Sequence, residues 1–316
     1  MVSLATRHIG GLTVSALGLG CMGMSPVYGR PDVTEARATL RHAVERGVTL
    51  FDTADVYGAG GNERLLGEVL PPYRDRITIA TKTGIVALPA LGLPVGVNGR
   101  PARIKRSIDA SLRRLRTDHV DLYYLHRADP KIPIEESIGA MSELVTAGKV
   151  RFLGVSEVTA DQLRRAHATH PIAATQMEWS LFSRESEAEV VPTARELGIA
   201  VVAYSPLGRG MLTGSPQATT DLAWIDFRRF LPRWRRANLA TNLAAVEQVK
   251  AVAAELGTTP AAVALAWLLA KGENVVPIPG TKRRSNLDKN LAALDTTLRP
   301  QDLATLDTIA AAGERH

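Results

Sequence analysis

Residues Gly47 to Tyr57 read GVTLFDTADVY, and this stretch decides how the rest of the chain is read. Positions 49–53 form a short β-prone apolar run carrying Asp52 near its end. Tyr57 follows in the glycine-rich turn Tyr57-Gly58-Ala59-Gly60-Gly61. A buried strand thus delivers a carboxylate and a phenol to one rim. Alone, the two are ordinary, since an Asp at a strand end commonly caps a turn and a turn Tyr commonly packs its ring. The next apolar runs change the reading: 77–81 is followed by Lys82, and 120–125 by His126. Three consecutive strands each end in an ionisable group. In a parallel α/β barrel the strand C-termini meet at one face, so residues remote in sequence converge there.

Working outward, strand and helix patterns alternate from Thr34 onward. Helix 34–46 precedes strand 49–53, helix 62–70 precedes strand 77–81, and helix 101–114 precedes strand 120–125. Helices 134–147, 159–169 and 187–197 lead to strands 150–155, 173–176 and 200–204. Helical stretches 240–256 and 259–271 precede strand 275–278, and a helix over 285–293 follows. With 17–20 as the first strand there are eight, which predicts an α/β fold of the closed (β/α)8 TIM-barrel type, one domain over residues 1–316. Segments 6–9 and 12–15, around Gly10-Gly11, predict an N-terminal β-hairpin plugging one barrel end. Long structureless loops are expected over the C-terminal rim at 83–100, 177–186 and 205–239. The tail 300–316 reads as one terminal helix.

Gly18, Gly20 and Gly23 spell GxGxxG, the dinucleotide fingerprint of doubly wound folds. That motif needs a helix directly behind it and an acidic residue about twenty positions on. Here Met24-Ser25-Pro26 leads to Pro31, so the doubly wound reading is rejected.

Composition narrows the class. A chain of 316 residues with 45% hydrophobic content can bury a large core. No apolar run is long enough to span a bilayer, and the start lacks the charged-then-apolar order of a signal peptide. The lone Cys21 permits no internal disulfide, and a cytoplasmic location is the expectation. The net charge of +6 is scattered over helices, with two exceptions. Arg228 to Arg236 mixes arginines with Phe230 and Trp234, and Lys282-Arg283-Arg284 forms a second cluster. Either suits a phosphate, on nucleic acid or on a cofactor.

A neutral Tyr gives up its proton near pH 10; a neighbouring ammonium lowers that value, and a carboxylate keeps the ammonium charged and oriented. Tyr57, Lys82 and Asp52 suit those roles, and His126 can orient a carbonyl oxygen. The set predicts carbonyl reduction. Lys82 at a strand end can also form a Schiff base, though that leaves Tyr57 and His126 unexplained. Asp52 and His126 are too few for a metal. A merely structural Lys82–Asp52 pair stays open.

The chain resembles the aldo-keto reductases from about Leu4 to Leu294. GVTLFDTADVYG with Glu63 and Gly67 is similar to the family's first signature, and ATKTG and DLYYLHR resemble the strands bearing its Lys and His. The resemblance implies a catalytic tetrad of Asp52, Tyr57, Lys82 and His126, with Tyr57 as general acid, and NADPH/NADP+ as cofactor. GVSE at Gly154 to Glu157 resembles the family's GVSN, placing Ser156 on the nicotinamide carboxamide, with Glu157 departing from the usual Asn. Gln176 would bind the carboxamide and Tyr204 would stack on the nicotinamide. The turn from Ser205 through Leu207 and Gly208 would wrap the pyrophosphate. In IPGTKRRSNLDKN, Gly280, Thr281, Lys282 and Arg283 would meet a 2′-phosphate and Asn290 the adenine. Lys289 stands where many relatives carry Glu, and Asn286 where some carry Arg.

The expected partner is a small-molecule carbonyl, hydrophobic if Met24, Tyr28, Leu91, Trp179 and Trp224 line its pocket. Neither nucleic acid nor membrane is expected as a partner, and Arg228 to Arg236 is read as part of a closing loop. A non-catalytic NADP(H)-binding sensor on the same fold is the rival.

Overall fold

The β-prone runs pair in parallel, in an order that follows the chain. The computed structural model describes residues 4–29, 32–88, 94–222 and 226–315. A hairpin of β1 (Thr6–Ile9) and β2 (Leu12–Ser15) precedes β3 (Leu19–Gly20), α1 (Val33–Glu45), β4 (Leu50–Asp52), α2 (Gly61–Val69) and β5 (Thr78–Thr83). An antiparallel ribbon, β6 (Ile85–Ala87) and β7 (Pro94–Val97), comes before α3 (Pro101–Leu115) and β8 (Val120–Leu125). Then follow α4 (Ile134–Thr146), β9 (Val150–Ser156), α5 (Ala160–Thr169), β10 (Ile172–Glu178), α6 (Val190–Glu196) and β11 (Ala200–Tyr204). The last elements are α7 (Arg236–Glu255), α8 (Pro260–Leu269), β12 (Val275–Pro277), α9 (Arg284–Leu291) and α10 (Pro300–Asp307).

The eight parallel strands are neighbours in the order β3-β4-β5-β8-β9-β10-β11-β12, the sheet of a (β/α)8 fold. Backbone bonds join its two ends: the Gly18 N–H donates to Pro277 O at 3.0 Å, and the Gly20 N–H to Pro279 O at 3.3 Å. A Cβ on Gly20 would lie 2.8 Å from the Ile278 carbonyl oxygen, so the seam tolerates no side chain there. Gly18 and Gly20, the first two glycines of GxGxxG, therefore serve strand closure.

Burial divides the core in two. Inside the barrel, Leu50, Ala80, Leu122, Ala174, Val202 and Val276 meet Ile9, Leu12 and Val14 of the hairpin. Each such Leu, Ile or Val contributes about 1.5–3 kcal/mol, which seats the hairpin as a stopper. A larger apolar layer lies between the strands and the helices. Helix α8 is buried all along Ala261–Leu268, as its unbroken apolar sequence requires.

Three expectations need correction. Segment 83–100 is not structureless, because Gly84 at φ +112 turns the chain and β-branched residues zip β6 to β7. Segment 205–239 carries short 3-10 turns and α7 begins at Arg236. The tail is not one helix: α10 stops at Asp307, and 308–315 runs back across the molecule, held by Asn242 to Ala312 in both directions (2.7 and 3.0 Å).

Along each strand side chains alternate in and out. The inward set is Leu50 and Asp52, Ala80 and Lys82, Leu122 and Tyr124, Ala174 and Gln176, Val202 and Tyr204. The in-register pairs Lys82 with Tyr124, Ser156 with Gln176, and Glu178 with Tyr204 keep these ends level. The lower members fill the barrel; the upper members form the rim.

Candidate active site

The turn that carries Tyr57 is fixed by its own sequence. Gly58, Ala59 and Gly60 all have positive φ, and a Cβ on Gly60 would come 2.7 Å from Arg114 Cδ. Behind it, Asn62 accepts from Thr53 Oγ1 (2.7 Å) and donates to Cys21 O (2.9 Å) and Ser25 Oγ (3.0 Å). Buried Glu63 accepts from Thr81 Oγ1 and Arg114 Nε, both at 2.6 Å. The loop is therefore rigidly backed.

Lys82 is fully buried and donates to Asp52 Oδ1 at 2.5 Å and to the Thr53 carbonyl at 2.7 Å. Burial alone pulls its ammonium down, but Asp52 and Tyr57 more than offset this and hold it charged. The Lys82 nitrogen lies 5.1 Å from the Tyr57 ring centroid, and the His126 ring meets that of Tyr57 edge-on at 5.9 Å. Burial, then Lys82 and Arg127, push His126 well below its ordinary value, so it is neutral, with Nδ1 enclosed and unpartnered. Tyr57 corrects the sequence expectation. Its phenol is raised, because burial, helped by Asp52, outweighs the pull of Lys82. Tyr57 therefore stays protonated at neutral pH, the form a proton donor needs.

A cleft of about 680 Å³ runs outward from Asp52 and Tyr57 past Gln176, Tyr204, Ser205 and Leu207 to Gly280, Thr281, Lys282, Arg283 and Asn290. Gln176 donates to Asp52 Oδ2 at 2.9 Å. Ser205, Gly208, Arg209 and Gly210 all have positive φ, giving a tightly coiled turn along one wall. Arg228 also lines the cleft, buried and paired with Asp226 at 2.7 Å. Among the described residues no group of three or more His, Cys, Asp or Glu is arranged to hold a metal ion.

A model described as the aldo/keto reductase family matches residues 16–311. The chain belongs to the aldo/keto reductase family. It is similar to the glycerol dehydrogenase from Gluconobacter oxydans, with 31% identity over 96% of this chain and 94% of that one, and a TM-score of 0.88. An aldo-keto reductase from Bacillus halodurans, in its holo form, matches at 28% identity over 98% of both chains with a TM-score of 0.80. One from Klebsiella pneumoniae, in complex with NADP and acetate, matches at 29% over 97% and 95%, with a TM-score of 0.75. The chain is thus an oxidoreductase.

Several expected residues fall elsewhere in this aldo/keto reductase. Trp179 is 1% exposed, its indole donating to Glu187 at 2.9 Å, and Met24 packs in the core between strands and helices; neither lines the cleft. Met22 and Gly23 line it where Met24 was expected. Ser156 is buried, accepting from Arg127 at 3.1 Å, and Gly208 sits behind its lining neighbours Leu207 and Arg209. Leu91 and Trp224 lie outside the described residues, as does the Tyr28 side chain. In the arginine stretch, Arg228 and Arg233 are buried and internally bonded, while Phe230 is exposed. Glu178 escaped the sequence reading. It faces inward two residues beyond Gln176, where the strand period points, and lies 3.2 Å from Arg209.

Proposed function

We propose that the protein is an NADPH-dependent reductase of aldehydes or ketones in which Tyr57 protonates the carbonyl oxygen. The observation that carries this reading is a protonated Tyr57 phenol at the inner end of one long cleft, with a buried charged Lys82–Asp52 pair and a neutral His126 packed against its ring. When bound along that cleft, NADPH supplies the hydride. Tyr57 and His126 then hold the substrate oxygen, and Lys82 stabilises the phenolate left when Tyr57 gives up its proton. Asp52 keeps Lys82 in place.

The residues at the outer end suit the cofactor chemically. Lys282, Arg283 and Thr281 offer cations and a hydroxyl to a 2′-phosphate, and the Ser205–Gly210 turn allows close backbone approach to a pyrophosphate. Gln176 offers an amide to the carboxamide, Tyr204 its ring to the nicotinamide and Asn290 its amide to the adenine. Ser156, enclosed on Arg127, would reach the carboxamide only by exchanging that partner. The relative crystallised with NADP and the glycerol dehydrogenase relative support the cofactor and the alcohol–carbonyl pair.

The test titrates purified protein with NADPH and NADH by fluorescence, then adds aromatic and aliphatic aldehydes. Tighter NADPH binding with aldehyde-dependent oxidation is expected. Binding without turnover on any carbonyl would shift the reading to a cofactor sensor; no binding would overturn it.

A further inference from the structure

Glu157 stands where the family's usual Asn would be, and the structure shows how it is employed. It has φ +52, a conformation costly outside glycine unless its surroundings impose it. Here they do. Its N–H donates to Gln176 O at 3.0 Å, its Oε1 accepts the Glu178 N–H at 2.9 Å, and its carboxylate accepts both terminal nitrogens of Arg315, at 3.2 and 2.7 Å. Glu157 is one-tenth exposed, and Arg315 about a quarter.

Arg315 reaches this point on segment 308–315, which crosses the molecule on several anchors. Ile309 is buried, Ala312 is held in both directions by Asn242, and the Gly313 carbonyl accepts from Arg233 at 3.3 Å. The segment is thus tied at one end to the core and at the other to the C-terminal ends of β9 and β10.

Tyr204 stands next to this pair. Its ring lines the cleft, and its hydroxyl is enclosed without a hydrogen-bond partner, so its position depends on the walls around it. After burial, the charges it feels most are Glu157 and Glu178 on one side and Arg127 and Arg315 on the other. Glu178 has Arg209 at 3.2 Å, and Glu157 has Arg315 at 2.7 Å. Each carboxylate therefore has a guanidinium against it, and Glu178 has a second, Arg233, at 4.0 Å.

We propose that Glu157 and Arg315 are a positioning pair, fastening segment 308–315 beside Tyr204 and cancelling charge there, so that the site does not favour an oxidised, positively charged nicotinamide over a reduced, neutral one. The proposal rests on the reading above that Tyr204 carries the nicotinamide. Without Arg315, the Glu157 carboxylate loses its hydrogen-bonded guanidinium and keeps only the Glu178 N–H and the weaker pull of Arg127, in a half-enclosed setting where its field acts at reduced screening.

The experiment compares wild type with Arg315→Met, Arg315→Lys and the double variant Glu157→Gln/Arg315→Met. NADPH and NADP+ are each titrated by fluorescence, and hydrogen exchange of 308–315 is followed by mass spectrometry. In Arg315→Met the ratio Kd(NADP+)/Kd(NADPH) should fall roughly tenfold, the size expected of one poorly screened charge near the ring. Arg315→Lys should keep the ratio near wild type. Glu157→Gln/Arg315→Met should restore it, although 308–315 exchanges faster in both Met variants. Equal weakening of both cofactors, or a shift that the added Glu157→Gln change fails to reverse, would overturn the charge-cancelling role. An unmoved ratio in a folded Arg315→Met that binds both cofactors overturns the pair alone, whereas a wild type that binds neither overturns the cofactor reading beneath it.

Discussion

The inner and outer ends of the cleft are built on opposite plans. At the inner end the charged pair is closed: Lys82 has Asp52 and a carbonyl, and Asp52 has Lys82 and Gln176. At the outer end, neither the Lys282 ammonium nor the Arg283 guanidinium makes an ion pair among the described residues. Burial, then Arg283 and Arg228, pull Lys282 down against the opposing effect of Asp226. The inner groups are held by one another; the outer ones are crowded like charges that an anion would relieve. Groups that must act at a fixed geometry are over-determined, and groups that receive a ligand's charge are left short of partners.

The largest effect is expected at Tyr57. Replacing Tyr57 by Phe keeps the ring, its edge contact with His126 and the Lys82 site, and removes only the transferable proton. A drop in kcat of about 10²–10⁴-fold is expected, with the Kd for NADPH unchanged. Turnover within a few-fold of wild type would show that the closed inner end is structural.

The outer end should respond in the complementary way. In Lys282→Ala/Arg283→Ala, loss of charge-assisted bonds to a phosphate, worth about 1.5–3 kcal/mol each, should raise the Kd for NADPH by at least about tenfold. The Kd for NADH and the kcat at saturating cofactor should barely move. Equal losses for the two cofactors would mean that these cations are solvated surface rather than a phosphate site.

The inner end was legible because its logic is local. A β-prone apolar run buried on both faces announces its own C-terminal end, and the two-residue side-chain period puts Asp52 and Lys82 at the rim and His126 just beyond it. The same period would have delivered Glu178. Trp179 and Met24 were misread because an apolar residue next to the rim has equal local reason to face a pocket or the core. What decides is a partner such as Glu187 across the 3-10 turn, or the helix layer behind β3. The tail was misread for the related reason that a short polar and alanine-rich segment is helical by propensity, whereas Asn242, Arg233 and Glu157 hold it in a non-helical path from three distant elements. No window of sequence contains those contacts.

One group at the inner end breaks its plan, and it gives the smallest but most discriminating test. Asp55, between Asp52 and Tyr57, has an enclosed Oδ1 with no partner, and its carboxyl is raised to about 7. Burial is the main cause, followed by the nearby Glu63, against the opposing pull of Arg103, Arg114 and Thr83. In the unfolded chain the same carboxyl ionises near 4. Between about pH 4 and 7, then, the folded state keeps a proton that the unfolded state has released. Stability must fall as pH rises through that window and level off above it. Asp55→Asn removes the dependence, so the variant should gain on wild type between pH 5 and pH 8 by about 1–2 kcal/mol in urea unfolding, a fraction of the full linkage because water and side chains relax around a new charge. A gap between the two proteins that is the same at both pH values would mean that Asp55 is satisfied like its neighbours and that the inner end is closed throughout.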